Sequence, residues 1–261
     1  MTLTTILLTL VVCFVAGAFA GIGTGFAGMS AATVIGPLLM TFLGVPAYQA
    51  VGIGLTSDVL ASAISAFEYH KNGNLDIRSS APLMISVLCT TVVGSLAASF
   101  LPEFAMGAIM QIGMAILGFN FLLRPNAGPL SILADRMEQG RVAKAIIGGI
   151  VVGFICGFVG AGGGMMLLFV LTTFLGYRMH TAVGTSVFIM SFIAFTGGVS
   201  HMVIGGVPNI LAMVLCIIFT FAWAQISAKV ANKSSAKTLS RIVGVILLIT
   251  SIAVVLSHIF L

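Results

Sequence analysis

From Met1 through Ser57 the chain carries no Asp, Glu, Lys or Arg. A water-soluble domain needs a polar shell, and a stretch of that length cannot supply its share of one. The scarcity extends to the whole chain. Its 261 residues include 11 Lys+Arg and 6 Asp+Glu, so 7% are charged and 59% are hydrophobic. Soluble domains carry about 25% charged residues. An ordinary cytosolic or secreted enzyme, a nucleic-acid binder and a disordered chain are all excluded. A membrane β-barrel would need alternating polar lumen positions. Stretches such as 6–19 and 242–256 are apolar on both alternations. The fold class is therefore an all-α polytopic membrane protein.

Turn and polar residues divide the chain into apolar segments at 3–22, 28–43, 50–68, 80–101, 103–123, 142–159, 163–176, 181–203, 207–228 and 240–260. A full crossing takes about 20 helical residues. The second and seventh segments are short, so they tilt, stop midway or fold back as re-entrant hairpins. The start lacks the positive n-region of a secretory signal, so 3–20 reads as a retained span. The basic residues fall on one side of this division. Lys71 and Arg78 follow the third segment, and Arg124, Arg136, Arg141 and Lys144 follow the fifth. Arg178 follows the seventh, and Lys229, Lys233, Lys237 and Arg241 follow the ninth. The positive-inside rule makes those connections cytoplasmic and puts both termini outside, as in a bacterial-type inner membrane. The basic residues thus mark a membrane face, not a nucleic-acid surface.

The chain repeats itself. Gly17, Gly21, Gly28 and Met29 recur as Gly153, Gly157, Gly164 and Met165, and Phe42, Gly44, Ala50 and Gly52 recur as Phe174, Gly176, Ala182 and Gly184. Five segments per copy reverse the orientation, which predicts two inverted repeats with Gly-interrupted or re-entrant segments at the start of each. The layout is an N-terminal repeat at 1–124, a cytoplasmic linker at 125–141 and a C-terminal repeat at 142–261. Gly-interrupted segments at matching positions of inverted repeats point to a transport site near the midplane.

The glycine runs carry the chemistry. Unwound backbone survives at membrane depth only where it is buried in protein or lines a cavity. A helix that restarts after a break aims free N–H groups and its positive dipole end at that space, which suits an anion. Gly23, Gly25 and Gly28 before Met29, and Gly160, Gly162, Gly163 and Gly164 before Met165, are the candidates. Close helix packing of the GxxxG kind is the competing reading. The Gly23, Gly25, Gly28 spacing also fits a dinucleotide fingerprint, but it lies in a membrane span without the acid about 20 residues on that the fingerprint requires. Thr24, Thr56, Ser57, Thr185 and Ser186 offer hydroxyl donors, although such hydroxyls often bond their own helix. Asp58 is the acid that lies well inside a segment. At about 2.5–3.5 kcal/mol for insertion at mid-helix, it reads as a functional group and a coupling candidate. Glu68, His70, His180 and His258 read as interfacial, His201 as interfacial or packing, and Gln111 and Asn120 as inter-helix hydrogen bonds. Cys13, Cys89, Cys156 and Cys216 lack metal-ligand spacing and read as small packing residues.

The paired glycine breaks, the repeated Phe-Leu-Gly and Ala-Val-Gly steps and the exits at Gly73 and Gly205 resemble the sulfite exporter TauE/SafE family over about 11–256. The most specific part holds Gly160, Gly162, Gly163 and Gly164 followed by Ala182, Val183, Gly184, Thr185 and Ser186. The first copy departs from it, with Asp58 after Thr56 and Ser57. The resemblance implies a permease or exporter of small sulfur-containing or organic oxyanions such as sulfite or sulfonates. No cofactor, metal or catalytic residue is expected. The expected partners are a small anion, a coupling proton or other ion, and the bilayer, with a homo-oligomer left open. The competing readings are a channel-like anion path, a passive membrane subunit and an intramembrane hydrolase. The last would rest on Ser186 with His201, which a straight helix holds about 22 Å apart.

Overall fold

The computed structural model describes residues 3–98, 119, 122–123, 140–159, 163–205 and 209–235, with scattered positions between 237 and 252. Helix α1 (Leu3–Ala27) leads through a short break into α2 (Ala32–Leu43). Helices α3 (Ala47–Lys71) and α4 (Ile77–Ala98) follow. The second half has α5 (Arg141–Val159) and α6 (Gly163–Phe169), which continues as a π-helical turn, Val170–Phe174. It ends in α7 (Met179–Gly205) and α8 (Ile210–Lys233). Most of the fifth and tenth expected segments and of the linker lies outside the described residues, as do Gly160 and Gly162.

The described elements are helical, and no strand occurs among them. Helix α1, Gln49–Lys71 of α3, Met179–Val199 of α7 and α8 are each long and apolar enough to cross a membrane. Their outer faces expose Leu7, Phe14, Phe19, Phe67, Phe195 and Ile218. In water such faces would drive aggregation, and in lipid they meet a matching solvent. The fold is an all-α membrane bundle.

Helix α1 packs along α8, α4 along α5, and α3 against α7 and α8. Small residues form the seams. A Cβ on Gly17 would stand 2.6 Å from the Phe219 Cβ, and one on Gly21 would stand 2.7 Å from the Ala224 nitrogen. On Gly25 it would stand 2.7 Å from the Ala228 nitrogen. The contacts advance together along both chains, so α1 and α8 run parallel. On the other side Gly149 meets Leu83 and Ser86, and Gly153 meets Val87 and Thr90, so α4 and α5 also run parallel.

This corrects the reading of Gly23 and Gly25 as part of a break. Helix α1 continues through them to Ala27, and the spacing of Gly17, Gly21 and Gly25 serves close backbone approach to α8. Without a hydrophobic force between helices in lipid, contact at the backbone is what holds such a pair. Gly21→Leu should lower the thermal midpoint in detergent by an overpacking penalty of about 1–3 kcal/mol. Gly36, whose Cβ would meet only the Val51 Cγ2 at 3.8 Å, is the control. Gly36→Ala should be neutral or raise the midpoint, because alanine loses less backbone entropy in a helix.

Helix α2 has 12 residues and is about 18 Å long, too short to cross. It starts beside the middle of α3, where a Cβ on Gly54 would stand 2.5 Å from the Ala32 Cα. It ends at Gly44, with φ +60 and a bond from the Val45 N–H to the Leu39 carbonyl at 3.3 Å. The matching segment of the second half ends the same way. Gly176 has φ +66, and the Tyr177 N–H bonds the Leu171 carbonyl at 2.8 Å. Both are left-handed glycine stops in which the N–H after the glycine bonds a carbonyl six residues back, one residue wider than a Schellman motif.

The ends of α3 and α8 and the starts of α4 and α7 meet in a polar layer. Lys229 Nζ lies 3.6 Å from Glu68 Oε1. Asn74 donates to Asn232 Oδ1 at 2.8 Å, and the Tyr177 hydroxyl donates to Asp76 Oδ2 at 3.1 Å. His180 Nε2 stands 3.0 Å from the Ser234 carbonyl. Lys71, Arg78, Arg178 and Lys233 belong to this same end. Because the Lys229 side chain is 53% exposed, Lys229→Ala should cost less than about 1 kcal/mol in a denaturation experiment. Cys13, Cys156 and Cys216 are buried and Cys89 is exposed, all as free thiols.

Candidate functional site

The break after α1 is narrow. Gly28 takes φ +63, its N–H bonds the Thr24 carbonyl at 2.9 Å, and the Met29 N–H bonds the Gly23 carbonyl at 3.3 Å. The Thr24 hydroxyl lies 3.0 Å from the Ala20 carbonyl and 2.8 Å from the Met29 carbonyl. It therefore ties the last turn of α1 to the residues beyond it. Glycine is required at 28 for the left-handed conformation. It is also required for space, since a Cβ there would run into the Ser186 hydroxyl of α7.

The start of α6 meets this break. A Cβ on Gly164 would collide with the Gly28 carbonyl, and one on Gly163 with the Cys156 sulfur. Met29 and Met165 are both 1% exposed and share one apolar core. Gly28, Met29, Gly163, Gly164, Met165 and Ser186 are thus gathered where the starts of α2 and α6 approach α7.

The other expected contacts are elsewhere. A Cβ on Gly23 would collide with the Met29 methyl, and the Gly25 carbonyl accepts from the Tyr69 hydroxyl at 2.9 Å. Thr185 accepts from the Asp76 N–H at 3.2 Å in the polar layer. Thr56 donates to Gly52 and Ser57 to Ile53, each at 2.8 Å. Ser186 likewise donates to the Val183 carbonyl at 2.8 Å. With their protons spent on helix carbonyls, Thr56, Ser57 and Ser186 present lone pairs in this arrangement. Helix α7 runs unbroken through Ser186 and His201, which keeps that pair about 22 Å apart and removes the hydrolase dyad.

Asp58 lies half-way along α3 and is fully buried. Its Oδ1 accepts from Ser62 at 2.8 Å. The Ser30 hydroxyl and the Ala31 N–H, just before α2, flank the same carboxyl group. Oδ2 and the Ser30 hydroxyl have no hydrogen-bond partner among the described residues. Sequence reasoning found Asp58 but missed Ser30, Ser62 and Tyr69. Ser62 was legible at one helical turn from Asp58. The approach of Ser30 was not, because it depends on where α2 restarts.

The family model described as sulfite exporter TauE/SafE matches residues 13–254, nearly the whole chain. The chain belongs to the sulfite exporter TauE/SafE family. It is 24% identical to the probable membrane transporter protein YunE of Bacillus subtilis (strain 168), over 97% of this chain and 100% of that protein. It is 26% identical to the probable membrane transporter protein MJ0441 of Methanocaldococcus jannaschii, over 88% of each. No solved structure matches the chain. As a TauE/SafE protein it is an integral membrane transporter and not an enzyme. The TauE/SafE match takes in both glycine runs, Asp58 and the polar layer.

Proposed function

We propose that the protein is a secondary carrier of small sulfur-containing or organic oxyanions, such as sulfite or sulfonates, working by alternating access around the point where the two glycine breaks meet. The observation that carries this reading is the contact of Gly164 with the Gly28 carbonyl beside Ser186. It sets two interrupted segments against each other deep in the bundle, which is the arrangement expected of a transporter site. The Thr33 and Val34 N–H groups bond the Ser30 and Ala31 carbonyls in the first turn of α2, so on this reading the positive end of the helix dipole and the backbone N–H groups just before it attract the anion without a buried lysine or arginine. Ser186 joins them when its O–H turns from Val183 toward the anion.

Two parallel seams, α1 with α8 and α4 with α5, support an inverted repeat. Exchanging the halves maps one seam onto the other and leaves the α3–α7 contact on the axis. The matching glycine stops at Gly44 and Gly176 support it as well. On this reading the polar layer with Lys71, Arg78, Arg178, Lys229 and Lys233 is cytoplasmic, and both termini are outside. Its ion pair and hydrogen bonds then close the cytoplasmic end while the site opens outward.

Purified protein in proteoliposomes should take up labelled sulfite, thiosulfate or a sulfonate with saturable kinetics. Trans-acceleration by unlabelled anion inside marks a carrier, and its absence alongside linear flux would establish a channel-like path instead.

A further inference from the structure

The start of α2 attracts negative charge, and one negative group already stands there. Asp58 approaches from α3 with Ser30 and Ala31 beside its carboxyl group. Its Oδ2 and the Ser30 hydroxyl are buried, and each lacks a hydrogen-bond partner among the described residues. A carboxylate at a helix start satisfies the dipole that the anion needs. An anion arriving there meets repulsion from Asp58 at short range, in a medium that screens little. The like charges cannot share the place.

Resting on the carrier reading above, we propose that Asp58 and the anion compete for the start of α2, so that the protein carries an anion only when Asp58 holds a proton. The step is a proton transfer from water. An O–H bond forms on Oδ2, the carboxylate becomes a neutral acid, and the new O–H donates to the Ser30 oxygen, giving two orphaned atoms a partner. The Ala31 N–H, no longer held by a charged carboxylate, then turns to the anion at the positive end of α2. On the other side of the membrane the anion leaves, the O–H bond breaks and the proton returns to water. The result is symport of one proton with each anion.

The surroundings favour a proton over an alkali cation. The Ser62 hydroxyl and the Ala31 N–H are donors toward the carboxyl, and the positive end of α2 repels a metal ion. Ser65, another buried hydroxyl without a partner among the described residues, lies seven residues on, about 10 Å along the helix. The other titratable groups on α3 and its neighbours are distributed as follows. Helices α1 and α2 carry no Asp, Glu, Lys, Arg or His. Cys13 of α1 and Cys216 of α8 face each other. Glu68 pairs with Lys229 in the polar layer, where Tyr69, His70, Lys71, His180 and Lys233 also lie. His201 lies toward the opposite end of α7, past Gly197 and Gly198, which touch Leu55 and Thr56.

The test uses proteoliposomes and radiolabelled methanesulfonate, a monoanion whose charge does not change over the pH range used, so that one proton with each anion moves no net charge. With the interior alkaline by about one pH unit, the wild type should accumulate label up to about tenfold, the limit for one proton per anion. An internal pH dye should report proton entry with it. Asp58→Asn should still exchange label for unlabelled anion at either pH but lose the gradient-driven accumulation. Accumulation surviving in Asp58→Asn overturns the proposal, as does wild-type exchange that ignores the pH gradient, runs as antiport or follows a sodium gradient. Where Asp58→Asn is inert even in exchange, Asp58→Glu decides, since it keeps the carboxyl. Restored accumulation supports the proposal, and exchange without accumulation overturns it. A wild type that moves no anion at all refutes the carrier reading, and this proposal with it.

Discussion

Gly28→Ala is expected to reduce anion flux at least about tenfold, while Gly44→Ala is expected to leave it near wild type. Both glycines are left-handed, with φ +63 and φ +60. Alanine in that conformation costs about 1–2 kcal/mol at either place. The difference is what the new methyl meets. At Gly44 nothing lies within 4 Å. At Gly28 the methyl would run into the Ser186 hydroxyl and stand 3.5 Å from the Val187 Cγ1. Helix α7 or the start of α2 must then move, adding about 1–3 kcal/mol of overpacking at the place assigned to the anion. Paired melting curves and flux assays check this. A flux loss in Gly28→Ala beyond what its extra thermal loss over Gly44→Ala accounts for places the defect in the site, and a flux loss that only follows the thermal loss would assign Gly28 a folding role alone.

Tyr69→Ala is expected to be the most destabilising single change in the described bundle, at about 3–5 kcal/mol. The Tyr69 side chain is wholly buried. Its hydroxyl donates to the Gly25 carbonyl near the end of α1, and its Cβ would stand 2.7 Å from one on Gly184 of α7. The residue thus joins α1, α3 and α7 next to the break. Removing the ring leaves a cavity among three helices and an unpartnered carbonyl. Tyr69→Phe separates the two, since it keeps the ring and loses the bond, for about 1–3 kcal/mol. Thermal denaturation in detergent ranks the variants, and a loss for phenylalanine as large as that for alanine would contradict the packing account.

Much of this arrangement was legible in the sequence. The charge-free start dictated lipid-facing helices, and the segment limits came within a few residues of α3, α5 and α8. The second segment was identified as short, with a tilt, a midway stop and a re-entrant hairpin all left open. The glycines were harder to read, because one residue type serves two purposes. Gly21 and Gly25 lie in a run with Gly28, yet they seat α8 against an unbroken helix while Gly28 turns the chain. Sequence spacing fits both uses, and only the position of the neighbouring backbone separates them. The hydroxyls posed the same difficulty. Thr56, Ser57 and Ser186 have the chemistry to donate to an anion, but a helix carbonyl one turn back is always within reach. Asp58 stood out by its cost in lipid. Its neighbour Ser30 did not, since their meeting depends on a restart half-way along α3.

The central claim is that an anion binds where the starts of α2 and α6 meet. Counterflow measures it most directly. Proteoliposomes loaded with unlabelled sulfite are diluted into labelled sulfite, and the transient overshoot is recorded for the wild type, Gly28→Ala and Gly44→Ala. A saturable overshoot in the wild type and Gly44→Ala that disappears in Gly28→Ala is the predicted result. An overshoot unchanged in Gly28→Ala, or none in the wild type for sulfite, thiosulfate, sulfonates or carboxylates, would contradict the account.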